Sequence, residues 1–118
     1  MNINRSIKEA KEHRHPILAE AETYHILKCR VDTDFAPSGK TTLWLTVTQK
    51  DTGATAHLKF TNVHFEEPVF LALRDATGLY VMDTQHLGWA TDQRIEVGDW
   101  DDGSPIFWAE SAEQITEK

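Results

Sequence analysis

The sequence predicts a mainly β fold: an antiparallel β-sandwich or partly open barrel of about seven or eight short strands, with a short N-terminal helix. Three observations carry this. Apolar and polar residues alternate with period two from Tyr24 onward. Turn-forming residues recur at intervals of about 8–12 positions. Near the C-terminus, Asp101-Asp102-Gly103 separates two apolar arms, Ile95–Trp100 and Ile106–Ala109. An Asp-Gly pair between strand-like runs is a hairpin signal, because Gly reaches the positive φ a tight turn needs.

The elements follow in order. Ser6-Ile-Lys-Glu9 fits a capping box, and Ile3, Ile7 and Ala10 share one helical face. Pro16 disfavours helical geometry at His15, so the helix is expected to stop near His13 or Arg14. Ile17–Glu22 reads either as a second helical turn or as an extended lead-in. Leu27, Cys29 and Val31 alternate with Lys28, Arg30 and Asp32, as in a half-buried strand. A loop at Pro37-Ser38-Gly39 leads to Leu43, Leu45 and Val47, which alternate with threonines; Trp44 is the exception on that polar face. Lys50–Gly53 is a turn, and Ala54, Ala56, Leu58 and Phe60 complete a hairpin.

Asn62 breaks the parity, since Val63 and Phe65 become the apolar positions. Val69–Leu73 is continuously apolar, as in a strand covered on both faces. Leu79–Met82 is a short strand, and Asp83–Gln93 a long connection holding His86 and Trp89. In the final hairpin Trp100 falls on the opposite parity to Ile95 and Val97, so Gly98 is a candidate bulge that re-aims it. The tail from Ser111 is a last strand through Ile115 or a frayed end.

The 118 residues suit one domain, 1–118, with the N-terminal helix and lead-in over 1–22 and the β-sandwich over 23–118. Net charge is −7, from 12 basic and 19 acidic residues. Such a surface repels nucleic-acid phosphates and favours a basic protein partner. Cys29 stands alone, so no intrachain disulfide forms and a cytoplasmic location is expected. The N-terminus carries no apolar signal core, and no run approaches the roughly 18–20 apolar residues of a membrane span.

Motifs with catalytic or metal-binding chemistry are incomplete. Ser38-Gly39-Lys40-Thr41 resembles the end of a phosphate loop, but Asp34 stands where the first glycine belongs and a strand follows. Asp99, Asp101 and Asp102, with Glu110 at the twelfth position, echo a calcium loop, but Gly103 and Ser104 break the pattern. The six histidines show no short-range metal spacing; His86 and Asp83 with another His are the candidate ligand set of a small metal-dependent enzyme or binder. No metal and no cofactor is expected. Cys29 lies mid-strand, where a thiol lacks the exposure and electropositive setting of a nucleophile. Trp108, inside an apolar run, reads as core; Trp44, Trp89 and Trp100 read as partly exposed, and exposed aromatics are common interface anchors.

Leu58-Lys-Phe60 with Val63, Gly78-Leu-Tyr-Val-Met-Asp83, Gly88-Trp89 and Ile106-Phe-Trp-Ala109 together resemble small uncharacterised bacterial β-sandwich proteins. The likeness spans Tyr24 to Ile115. Some proteins of that kind are regarded as immunity-type proteins that neutralise a toxin from the same locus. The resemblance implies a bacterial, intracellular, non-enzymatic protein and transfers no catalytic residue. The expectation is therefore a non-catalytic protein-binding protein of the bacterial cytoplasm, an immunity-type inhibitor of a basic toxin. Its expected binding site is Trp89, Trp100, Asp99, Asp101, Asp102 and His86. The alternatives are the metal-dependent protein and a self-associating structural protein, with a homodimer as its simplest form.

Overall fold

The computed structural model describes residues 13–18, 20–37, 39–65, 73–74, 76, 78–84, 93–100 and 104–115. Among them are seven strands: β1 (Tyr24–Thr33), β2 (Thr41–Gln49), β3 (Thr55–Thr61), β4 (Leu79–Asp83), β5 (Ile95–Asp99), β6 (Ser104–Ala109) and β7 (Ser111–Ile115). They form a four-stranded sheet in the order β1-β2-β3-β7 and a three-stranded sheet in the order β4-β5-β6. Every pairing is antiparallel. The mainly β sandwich expected from the alternation is what the chain forms, as two separate sheets rather than a closed barrel.

The core lies between the sheets. Leu43, Leu45 and Val47 of β2 and Ala56, Leu58 and Phe60 of β3 face Val81, Val97, Phe107 and Ala109 of the other sheet, all buried. Phe60 and Phe107 meet edge to face at 5.0 Å and 81°, the geometry in which a ring edge meets the negative face of its neighbour. The β2–β3 hairpin turns at Gly53, whose φ of 72° is the left-handed conformation glycine adopts without penalty.

Before β1, Ala21–Thr23 is a single 3-10 turn, and Ile17 and Leu18 ahead of it are turn and bend, so the described part of 17–22 is neither a continuous helical turn nor an extended lead-in. Ala21 and Leu18 are buried in the core. The helix expected before Pro16 lies, up to residue 12, outside the described residues.

Three expectations are corrected by backbone irregularities. Between Ile26 and Lys28 the β1–β2 register shifts, so Leu27 is the extra residue and is 53% exposed, while Ile26 packs on the core. In β6 the register passes from Phe107 opposite Val97 to Pro105 opposite Gly98, so the bulged residue is Ile106, on the strand facing Gly98. The bulge sends both Ile106 and Phe107 into the core. Trp100 needs no re-aiming: it continues the alternation of Glu96 and Gly98 onto the outer face, against Tyr80 and Met82. Trp108 is also outside the core, half-buried on that outer face, where its indole Nε1–H donates to Glu96 Oε1 at 3.1 Å. Leu73 and Arg74 have helical backbone, so the strand expected over Val69–Leu73 does not include its last residue; the rest of it lies outside the described residues.

The chain changes sheets at two adjacent corners. Asn62 follows β3 with φ 56°, and His64 then pairs with Trp108 at the edge of β6, through mutual amide–carbonyl bonds of 2.8 and 2.9 Å. Glu110 carries the chain back from β6 to β7, and its amide donates to the Thr61 carbonyl at 3.0 Å. The Asn62 amide group donates to Glu110 Oε1 at 2.9 Å, tying one corner to the other. That hydrogen bond first, and then the Lys40 charge, holds the Glu110 carboxyl below the usual carboxylate range.

Two outcomes are expected in urea unfolding. Asn62→Ala loses both the hydrogen bond and a residue tolerant of positive φ, so it should be less stable than Asn62→Gly, which loses only the bond, by about 1 kcal/mol. A carboxyl with a lowered folded pKa adds stability above its unfolded pKa and loses it as pH falls through the folded value. The wild type should therefore lose stability more steeply than either variant below the ordinary carboxylate range.

Candidate functional site

The outer face of the four-stranded sheet follows from the same alternation that builds the core. With Leu43, Leu45 and Val47 turned inward, Trp44 and Thr46 must point outward. Register then sets their neighbours. Arg30, Trp44, Lys59 and Glu113 form one row across the sheet; Lys28, Thr46, His57 and Ile115 form the next. All of these but Lys59 and Glu113 line a groove of about 480 Å³. Its side walls are Lys28, Arg30, Trp44, Thr46, His57 and Ile115.

The Arg30 guanidinium stacks over the Trp44 indole at 4.0 Å from the ring centroid. A cation over the negative face of an indole is attracted by about 0.5–1 kcal/mol at an exposed site. The stack fixes a planar array of N–H donors at the groove's rim. Thr46 Oγ1 and His57 Nδ1 lie 3.3 Å apart in the adjoining row. Lys59 is turned toward Glu113 at 3.9 Å, just beyond the groove. Among the described residues, none lining the groove is acidic, in a chain whose net charge is −7. Lys28 and Arg30 on β1 therefore make a local cationic strip beside the Trp44 indole, with Ile115 of β7 on the far wall beyond Thr46 and His57.

Cys29 lies between the two cations but on the other side of the strand. It packs on the core, and burial pushes its thiol up to about 11. It stays protonated at neutral pH, and the protonated thiol is the unreactive form.

The residues expected to form the site are arranged differently. His86, Trp89, Asp101 and Asp102 lie outside the described residues. Asp99 ends β5, and its charge helps raise the pKa of Tyr80. The main cause of that raised pKa is burial, followed by the Glu96 carboxylate, which accepts the Tyr80 hydroxyl at 2.6 Å. Trp100 is half-buried; its amide donates to the Gly78 carbonyl at 3.0 Å, and the Arg14 guanidinium lies 5.7 Å from its ring. Trp100 thus belongs to a packed cluster on the three-stranded sheet, opposite in the sandwich to the groove. The base of the Asp83–Gln93 connection is tied shut, with the Thr84 amide donating to the Arg94 carbonyl at 2.8 Å and its hydroxyl to the Gln93 carbonyl.

For the histidine alternative, the chain does bring His13 and His15 beside Asp83: the Asp83 amide donates to the His13 carbonyl at 2.7 Å. However, His15 Nδ1 already accepts the Ile17 amide at 3.1 Å, and burial lowers the imidazole's pKa against the opposing pull of Asp83. Among the described residues, no three His, Cys, Asp or Glu side chains gather as a metal site. The remaining motif fragments are absorbed by the fold. Thr41 opens β2 rather than a helix, and Glu110 is engaged by Asn62 and by Lys40 at 3.6 Å. No helix among the described residues is long and apolar enough to cross a membrane.

Comparison with known proteins finds no matching family, no matching curated sequence and no matching solved structure.

A testable consequence concerns the thiol. At neutral pH, native Cys29 should react with a disulfide reagent at least about tenfold more slowly than the same residue in urea, because burial both hides it and keeps it protonated. Equal rates in the two conditions would show that Cys29 is not held against the core.

Proposed function

We propose that this chain is a non-catalytic protein-binding protein of the bacterial cytoplasm, in the class of immunity-type proteins, and that it binds through the outer groove of the four-stranded sheet. One observation carries the reading: Arg30 stacked on Trp44 at 4.0 Å, beside Lys28, in a groove with no acidic lining among the described residues, on an otherwise acidic chain. Arg and Trp are the residues most often found as interface anchors, since each offers a large contact area and loses little entropy when already immobilised. Here the stack biases each toward one conformation before any partner arrives.

The reading is supported further by the scaffold. The groove stands on four paired strands whose inner faces pack on the core, so its side chains have a rigid base. Its volume lies within the range of about 300–1,000 Å³ common for ligand sites. The nearest thiol faces the core and stays protonated, so the groove is better suited to holding a partner than to attacking one. The resemblance noted in the sequence points to the same class.

Selection from a random dodecapeptide library displayed on phage tests this directly. Peptides selected on the wild-type protein should lose about tenfold or more in affinity for Trp44→Ala and for Arg30→Ala, while Trp100→Ala binds as wild type. Peptides that bind the groove variants as tightly as the wild type would place the binding surface elsewhere.

A further inference from the structure

We infer that the groove takes an extended acidic peptide segment, with carboxylates two residues apart in the partner chain meeting Lys28 and Arg30. This rests on the proposed binding role and names its partner chemistry.

Spacing carries the argument. Lys28 and Arg30 lie on the same face of β1, two residues apart, because the bulge at Leu27 precedes them and the register is regular from Lys28 to Thr33. In a strand, residues i and i+2 are separated by about 6.6–6.8 Å. A partner in extended conformation repeats its own side chains on one face at the same interval. Glutamates at i and i+2 therefore present two carboxylates in step with the two cations, whereas neighbouring glutamates point to opposite faces. A helical partner does not match as well, since its same-face residues are three or four apart.

The chemistry of the walls fits the same occupant. The Arg30 guanidinium, over the Trp44 ring, offers the forked donor pattern that matches a carboxylate. Lys28 supplies a compact charge in the adjoining row, next to Thr46 and His57, which offer hydrogen-bonding groups for a peptide backbone or hydroxyl. Trp44, opposite Arg30, gives this strip apolar surface that can cover the stem of a glutamate side chain. Against the chain's net charge of −7, this strip stands out as locally cationic.

Two hexapeptides of identical composition decide the matter: Thr-Glu-Thr-Glu-Thr-Thr and Thr-Glu-Glu-Thr-Thr-Thr, both with blocked ends. Each is titrated into the intact protein by calorimetry, alongside an all-threonine hexapeptide and inorganic phosphate. The alternating peptide should bind about fivefold more tightly than the adjacent one, the gain a second exposed ion pair supplies. Lys28→Ala should erase that difference, and Arg30→Gln should weaken both peptides. Both substitutions fall at exposed positions, and an unchanged circular dichroism spectrum confirms that the variants are folded. Equal affinities for the two acidic peptides would overturn the spacing argument. Phosphate competing with the alternating peptide at equal concentration would reassign the groove to small anions and overturn it too. If the all-threonine peptide binds in the groove as well as the alternating one, the acidic partner is wrong while the binding role stands. If the library-selected peptides ignore the groove variants, the binding role itself fails.

Discussion

The molecule depends on getting from one sheet to the other and back within a few residues. A strand has two faces, so a chain that switches sheets must reverse which side of it is apolar. Asn62 does this with a left-handed backbone, which Asn tolerates better than most residues, and the parity break between Phe60 and Val63 is its trace in the sequence. Glu110 does the reverse between Ala109 and Ser111. Because Thr61 and Glu110 share a backbone bond and Asn62 and Glu110 a side-chain bond, the two corners fix each other. β7 lies beside β3 because the chain returns at Glu110, and β7 brings Ile115 opposite His57. The wall of the groove thus derives from a corner at the far end of the same strand pair.

The groove shows how local and average charge differ. A net charge of −7 describes long-range attraction and solubility. What an individual site recognises depends on the few residues that pairing brings together. Here β1 contributes the cations, β2 the indole that holds one of them, and β3 and β7 the opposite wall. The three-stranded sheet, by contrast, places Tyr80, Glu96 and Trp108 on its outer face in a hydrogen-bonded cluster that satisfies a buried carboxylate. Its aromatics are engaged in structure, and Trp100 packs with them.

Much of the architecture was legible because alternation reports burial directly. The β2–β3 hairpin, the final hairpin and the strand at Leu79 follow from it, whereas the tail from Ser111 reads either as a strand or as a frayed end and forms β7. What alternation does not reveal is a bulge, since one extra residue changes every assignment beyond it. Leu27 takes a position that the pattern gives to the core and Ile26 replaces it; Ile106 joins Phe107 inside, leaving Trp108 on the other face. The groove was missed for a different reason. Lys28, Arg30, Thr46 and His57 stood on correctly read polar faces with Trp44 the exception among them, while Ile115 lay in the tail that reads equally as a frayed end. Consecutive hairpins fix which residues lie side by side, so Lys28, Arg30, Trp44 and His57 could have been set in neighbouring rows from the turns alone. Net charge and the acidic turn after Asp99 point instead to the opposite sheet.

The claim that the outer face of the four-stranded sheet is the contact surface is tested most directly by nuclear magnetic resonance of the uniformly nitrogen-15-labelled protein. On addition of the alternating acidic hexapeptide, the largest amide shifts should fall on Lys28–Arg30, Trp44–Thr46, His57–Lys59 and Ile115, with the Trp44 indole signal moving among them. Shifts centred instead on Asp99, Trp100 and their neighbours in the three-stranded sheet would contradict the account.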